Sequence, residues 1–283
     1  MNFRGSAEPF WGPPTSNSKS DYELTRFIAE FINSLSNLVY IIYGVQGLRK
    51  LRHKPNADFL RSLPYWGLMA VGICSAIFHI SLKFHTQMMD DLSMLFATTP
   101  VLHRVLTVNS NRRDSTISAL ILGSLLTLLI VYHVMTDEFI FHVISFGAMV
   151  VVIGVRTMQL VHTRTSPGSA SRRQIWGMVK FGAVIFSLGF YIWLLDTWLC
   201  GFLRQARNTI GFPWAFILEL HGWWHIFTGI GAYIFIAVVD HLASGEDHQG
   251  FEESFAWPAP WASQSIFAGR SPAIGAGINE KRA

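Results

Sequence analysis

The sequence predicts an all-α protein, a bundle of seven transmembrane helices, and three observations carry that expectation. Hydrophobic residues make up 51% of the 283-residue chain and charged ones only 14%, with a mean hydropathy of +0.33, too apolar and too poor in charge for an ordinary soluble domain. Seven stretches stay largely apolar for roughly 20 residues. A helix needs that length to cross the hydrocarbon core, where every backbone N–H and C=O must be paired inside the segment. Lys and Arg, finally, gather in alternate loops, the asymmetry that orients multi-pass chains.

Residues 1–26 are expected to form a luminal N-terminal segment. Its opening, "MNFRGSAEPFWGPPTS", has Pro and Ser where a cleavable signal peptide needs an unbroken apolar run, so the first helix is expected to remain as an anchor. The spans then run Phe27 to Leu48, Leu63 to Leu82, Met88 to Leu106, Ile117 to Met135, Phe139 to Leu160, Trp176 to Leu195 and Phe216 to Val239. Arg49, Lys50, Arg52, Lys54 and Arg61 fill the first loop, Arg112 and Arg113 the third, and Arg164, Arg172 and Arg173 the fifth. These loops are therefore expected on the cytosolic side, with the N-terminus luminal and the C-terminus cytosolic. A formal charge of +4 could point to nucleic acid, but the basic residues are spread over loops beside spans, and topology explains them better. The seven-helix transmembrane domain is expected over 27–240. The tail, 241–283, is rich in Gly, Ser, Pro and Ala and reads as disordered. Cys74 falls inside the second span and Cys200 in the last luminal loop, and both are read as free thiols.

Ionisable groups inside a span cost on the order of 2.5 to 3.5 kcal/mol at its centre, so those that persist usually face the bundle interior and have a role. Ser75 and His79 lie near the end of the second span, Asp90 and Asp91 near the start of the third, His221 and His225 near the start of the seventh, and Glu30 near the start of the first. Odd spans begin where even spans end, so all of these residues share one leaflet, whichever side is cytosolic. The four-residue spacing within Ser75/His79 and His221/His225 puts each pair on one helix face, about 6 Å apart along the axis. Three neutral imidazoles with an open fourth position make a catalytic zinc site. The His221/His225 pair alone would also suit haem ligation or interhelical hydrogen bonds. His103, His133, His142 and His162 read as hydrogen-bonded packing residues, and Trp214, Trp223 and Trp224 as packing and interface anchors.

Taken together, "EFINSLSN" (Glu30 to Asn37), "SAIFHISLKFHTQMMDD" (Ser75 to Asp91) and "HGWWH" (His221 to His225) resemble the alkaline ceramidases, seven-helix hydrolases related to the progestin and adipoQ receptors. The resemblance runs from "FWGPPTS" (Phe10 to Ser16) through the last span. It implies that His79, His221 and His225 hold zinc, that Asp90 positions or deprotonates a water, that Ser75 helps stabilise an oxyanion, and that Asp91 is a bystander. It further implies a ceramide substrate cut to a sphingoid base and a fatty acid, in the endoplasmic reticulum or Golgi. One departure concerns calcium. The family usually carries Trp-Cys-Glu and a following Asn before the first helix, which bind calcium together with a helix-one Glu, and its Cys pairs with one in the last luminal loop. Aligned on "IAEF", those positions are here Ser18, Lys19 and Asp21. Asp21, Glu23 and Glu30 still offer oxygen ligands, while Lys19 puts a cation where the metal would go, which argues against calcium and leaves Cys200 without that disulfide. The alternative reading, from another class, is a receptor of the related group with a structural zinc; a transporter or bis-His haem protein draws only on the two spaced histidines.

Overall fold

A computed structural model describes residues 24–54, 57–211, 213–245 and 255–269, and no β-strand occurs among them. The elements follow as α1 (Phe31–Ser36), α2 (Leu38–Arg52), α3 (Phe59–Ser81), α4 (Phe84–Thr107), α5 (Arg112–Thr136), α6 (Phe139–Arg164), α7 (Ala170–Ile210), α8 (Leu220–Ser244) and α9 (Ala259–Gln264), with a 3-10 turn over Trp214–Leu218 ahead of α8. Local chemistry sets several starts: the side chains of Asp58, Asn111 and Ser169 each accept a backbone N–H three residues on, at the heads of α3, α5 and α7, satisfying donors that a helix leaves unpaired.

Five helices, α3, α5, α6, α7 and α8, are long and apolar enough to cross a membrane. The other two expected spans fall short for identifiable reasons. The first is split at Asn37 into α1 and the 15-residue α2, and α4 has the length but carries Asp90, Asp91 and Arg104. Both interruptions coincide with polar residues that point to the bundle interior.

The helix α8 is the central post. Two-thirds of its most apolar window is buried, against about a tenth or less for α5 and α6, whose outer faces expose Leu120, Leu128, Ile140 and Val151 as lipid-facing helices should. Glycines let neighbours close on α8. A Cβ at Gly231 would sit 2.8 Å from Phe186 Cβ of α7, and one at Gly222 would sit 2.9 Å from Ile32 of α1. Where lipid is as apolar as the side chains, such close backbone approach supplies much of the packing attraction.

Two sequence expectations need correction. The sixth span does not end at Leu195: α7 continues unbroken to Ile210, 41 residues in all, or about 60 Å, roughly twice the thickness of a hydrocarbon core. Cys200, Arg204 and Arg207 are thus on an extended helix and not in a loop, and Cys74 and Cys200 are both free. The second concerns the tail. Residues 255–269 are ordered: α9 packs on α7, burying Phe255, Ala256, Ala259 and Ala262, and the Ala256 N–H donates to the Tyr233 hydroxyl at 2.6 Å. Small residues that suggest disorder by composition here permit close contact, the Ala262 carbonyl lying 2.6 Å from where a Cβ on Gly177 would be.

Candidate active site

The site forms where α3 turns back into α4. Leu82 ends α3 in the left-handed region at φ 50°, and only Leu82 and Lys83 separate the two helices. So tight a return lays the start of α4, with Asp90 and Asp91, alongside the end of α3, with Ser75 and His79. The first turns of α8 bring His221 and His225 to the same depth.

The three imidazoles converge. Their ring centroids are separated by 5.1 Å (His79 to His221), 5.0 Å (His79 to His225) and 4.8 Å (His221 to His225), and one ring nitrogen from each can be chosen so that all lie within 4.8 Å of one another. Two rings have fixed tautomers. Glu30 Oε2 lies 2.5 Å from His79 Nδ1; a carboxylate there accepts, so the proton is on Nδ1 and the lone pair on Nε2. Ser36 spends its only O–H on the Asn33 carbonyl, so at 2.8 Å from His225 Nδ1 it also accepts, again leaving Nε2 bare. His79 Nε2 is buried with no hydrogen-bond partner among the described residues, a costly state for an imidazole unless something binds it. Ring nitrogens anchored on one edge by oxygen and bare on the other are the usual arrangement of metal-bound histidines, and three neutral imidazole donors are a set that suits zinc.

Beside this cluster lies a cavity of about 510 Å³, lined on its polar wall by Ser75, Asp90, His221 and His225 and on its apolar walls by Phe186, Phe190, Trp193 and Trp224. Ser75 and Asp90 share that polar wall. A second cavity of about 240 Å³ shares Tyr40, Val71, Met94, Phe146, Phe186 and Trp224 with the first and is otherwise almost wholly apolar. Polar chemistry at one end and a greasy extension through the bundle suit an amphipathic, chain-bearing ligand.

The structure thus brings together Ser75, His79, Asp90, His221 and His225. Of the calcium candidates, Asp21 and Glu23 lie outside the described residues; Glu30 is held by His79 and by Asn33 Nδ2 at 3.0 Å, which gives its carboxylate a task as a histidine anchor. Asp91 is bonded to His133 at 3.3 Å. Asn33 and Ser36 escaped notice in the sequence: they follow Glu30 at three-residue steps, but nothing in a single sequence ties Ser36 to His225, 189 residues away. His103 and His162 match the packing expectation, bonded to the Ser115 carbonyl at 3.0 Å and to Arg172. His133 and His142 do not stay remote. They sit in the last turn of α5 and the first turn of α6, at the depth of the site, and His142 lines the cavity.

Comparison with known proteins agrees with this geometry. The ceramidase family model matches residues 13–267. The chain is 28% identical to Alkaline ceramidase YPC1 of Saccharomyces cerevisiae, over 96% of its own length and 90% of that protein's. It is 30% identical to Alkaline ceramidase 3 of Mus musculus over 80% and 84%, and 25% identical to Putative alkaline ceramidase dcd3A of Dictyostelium discoideum over 79% and 85%. With the family model spanning most of the sequence, the chain belongs to the ceramidase family.

Proposed function

We propose that this protein is a zinc-dependent intramembrane amidase that hydrolyses ceramide to a sphingoid base and a free fatty acid. The observation that carries the reading is the meeting of His79, His221 and His225 on a cavity whose same wall holds Ser75 and Asp90. The ion, when held by those three imidazoles, supplies Lewis-acid polarisation and makes water a competent nucleophile near neutral pH. Asp90 takes the proton from the attacking water as its oxygen bonds to the amide carbon. Ser75 directs its O–H toward the amide oxygen, where negative charge develops. The C–N bond then breaks, and the proton held on Asp90 passes to the leaving amine. Glu30 and Ser36 keep the two rings in register throughout. The apolar extension takes a lipid chain, and entry is sideways from the bilayer.

The seven-span arrangement, with the site-bearing end luminal and residence in the endoplasmic reticulum or Golgi, belongs to the same proposal. The test is incubation of the purified protein with long-chain ceramide over a range of pH, following free sphingoid base while metal is quantified. One zinc per chain with sphingoid base released is the expected result. Zinc retained with no release at any pH overturns the amidase and favours the receptor-type reading.

A further inference from the structure

The wall of the cavity away from the three-histidine cluster carries a second polar group that the hydrolytic scheme leaves unused. His133 and His142 are each 1% exposed, their ring centroids 4.9 Å apart and tilted by 33°, and Asp91 borders the same cavity as His142. Within this group the two rings differ. His133 Nε2 meets Asp91 Oδ2 at 3.3 Å and His133 Nδ1 meets the Glu138 carbonyl at 3.3 Å. Both partners are oxygen acceptors, so a neutral ring donates to one of them at a time and both of its nitrogens already face oxygen. His142 has neither nitrogen hydrogen-bonded among the described residues, and both are buried. A neutral imidazole carries one donor and one acceptor, and burying both without partners is expensive. His142 lines the cavity.

We infer that His142, braced by His133 and flanked by Asp91, is a hydroxyl-recognising subsite that reads the polar head of the lipid substrate. One donor and one acceptor on a single ring match a hydroxyl, which both gives and takes a hydrogen bond. A second metal is disfavoured by the same geometry, because His133 has no nitrogen to spare, which leaves His142 and Asp91 alone. Among the described residues only His79, His221 and His225 group as metal ligands do. Asp90 and Asp91 are consecutive, and both border the cavity that His142, His221 and His225 also line. A ceramide's amide nitrogen is borne on a carbon whose two neighbours each carry a hydroxyl, so a substrate whose amide lies at the histidine cluster brings its hydroxyls into that same cavity. The subsite rests on the amidase reading and gives that reading a basis for choosing hydroxylated long-chain amides over simple ones.

The experiment compares kcat and KM for three substrates, ceramide and its 1-deoxy and 3-deoxy analogues, in the wild type and in His142→Leu and His142→Gln, with zinc content measured for each. Wild type is expected to prefer ceramide over at least one deoxy analogue by about 10- to 100-fold in kcat/KM, the range for a site whose buried polar group loses its partner. His142→Leu should abolish the preference, bringing kcat/KM for ceramide and for that analogue to the same level, zinc being retained. His142→Gln, which keeps a donor and an acceptor, should restore part of the preference. The proposal is overturned if wild type treats all three substrates alike, a result that does not depend on any variant folding, or if His142→Leu slows all three equally, which is the mark of a purely structural ring. Failure of the amidase reading itself looks different: none of the three substrates is cut by wild type.

Discussion

Three helices, α3, α4 and α8, each contribute to two polar clusters, one at either end of the bundle, and the clusters are built on opposite principles. At one end Asp240 of α8 is saturated: Arg61 of α3 donates from Nε at 3.0 Å and Nη2 at 2.8 Å, Arg104 of α4 from Nη2 at 2.9 Å, and Lys54 from Nζ at 3.2 Å. At the other end, about 28 Å away along α8 between positions 221 and 240, His221 and His225 of α8 meet His79 of α3 beside Asp90 of α4. There bare nitrogens face inward, and the anchors, Glu30 and Ser36, stand outside. A buried charge that is fully paired contributes to register and is costly to break. Buried donors and acceptors held in position but left open are the form a binding site takes. The difference separates a cluster closed on itself from one arranged to receive a ligand, without appeal to pocket size.

The largest effect should follow from removing an inward-facing nitrogen. His221→Ala or His225→Ala is expected to abolish zinc binding and ceramide hydrolysis together, read by metal analysis and product release, while the Asp240 cluster keeps the bundle folded. Loss of activity with zinc fully retained would break the contrast, since the open end would then not be a metal site. Next comes Asp90→Asn. Removing the proton acceptor should lower kcat by about 100- to 10,000-fold, the span typical of general bases, with one zinc still bound. A fully active Asp90→Asn protein would show that the water is activated by another group.

At the saturated end the expected outcome is inverted. Asp240→Asn leaves Arg61, Arg104 and Lys54 facing a neutral amide, and breaking a buried ionic cluster from one side costs about 3 to 5 kcal/mol. The midpoint of unfolding in detergent should fall accordingly. Turnover per folded molecule and zinc stoichiometry should stay unchanged. A drop in turnover without a drop in stability would mean that the two ends are coupled and that the division drawn between them is wrong.

How far the sequence reveals these two ends follows from the kind of signal each uses. The i,i+4 spacing of His221 and His225, and the common depth of His79 and Asp90, are periodic features of single helices, and they survive translation into space. Asp240 gives no such signal: its partners come from positions 54, 61 and 104, and only packing brings them together. The same holds for Ser36 against His225. Helix α7 outruns its apolar stretch because the polar segment from Arg204 to Thr209 contains no breaker before Gly211, whose φ of +71° finally ends it. Composition identifies where lipid lies, and it does not identify where a helix stops. The ordered segment 255–269 was hidden for a related reason. Proline, serine and glutamine lower hydropathy without preventing burial of the alanines between them, so α9 has the composition of a linker and the contacts of a packed helix.

The smallest effect, and the sharpest test of the open end, concerns Glu30. Its carboxylate fixes the proton of His79 on Nδ1 and thereby leaves Nε2 bare toward the other two imidazoles. In Glu30→Gln the amide oxygen can still accept that proton, so the ring should keep its tautomer and the chain its fold, but the negative charge that raises the basicity of a ligating imidazole is gone. Outer anchors of this kind are worth about 10- to 100-fold in metal affinity, so the variant should bind zinc that much more weakly in a chelator competition and recover ceramide turnover when zinc is supplied in excess. If calcium held by Glu30 were the important contact instead, added zinc would not rescue the variant and added calcium would shift the wild type but not Glu30→Gln. Rescue by zinc alone identifies Glu30 as the anchor of a histidine, which is how one carboxylate at the head of the first helix can serve the open end of the bundle.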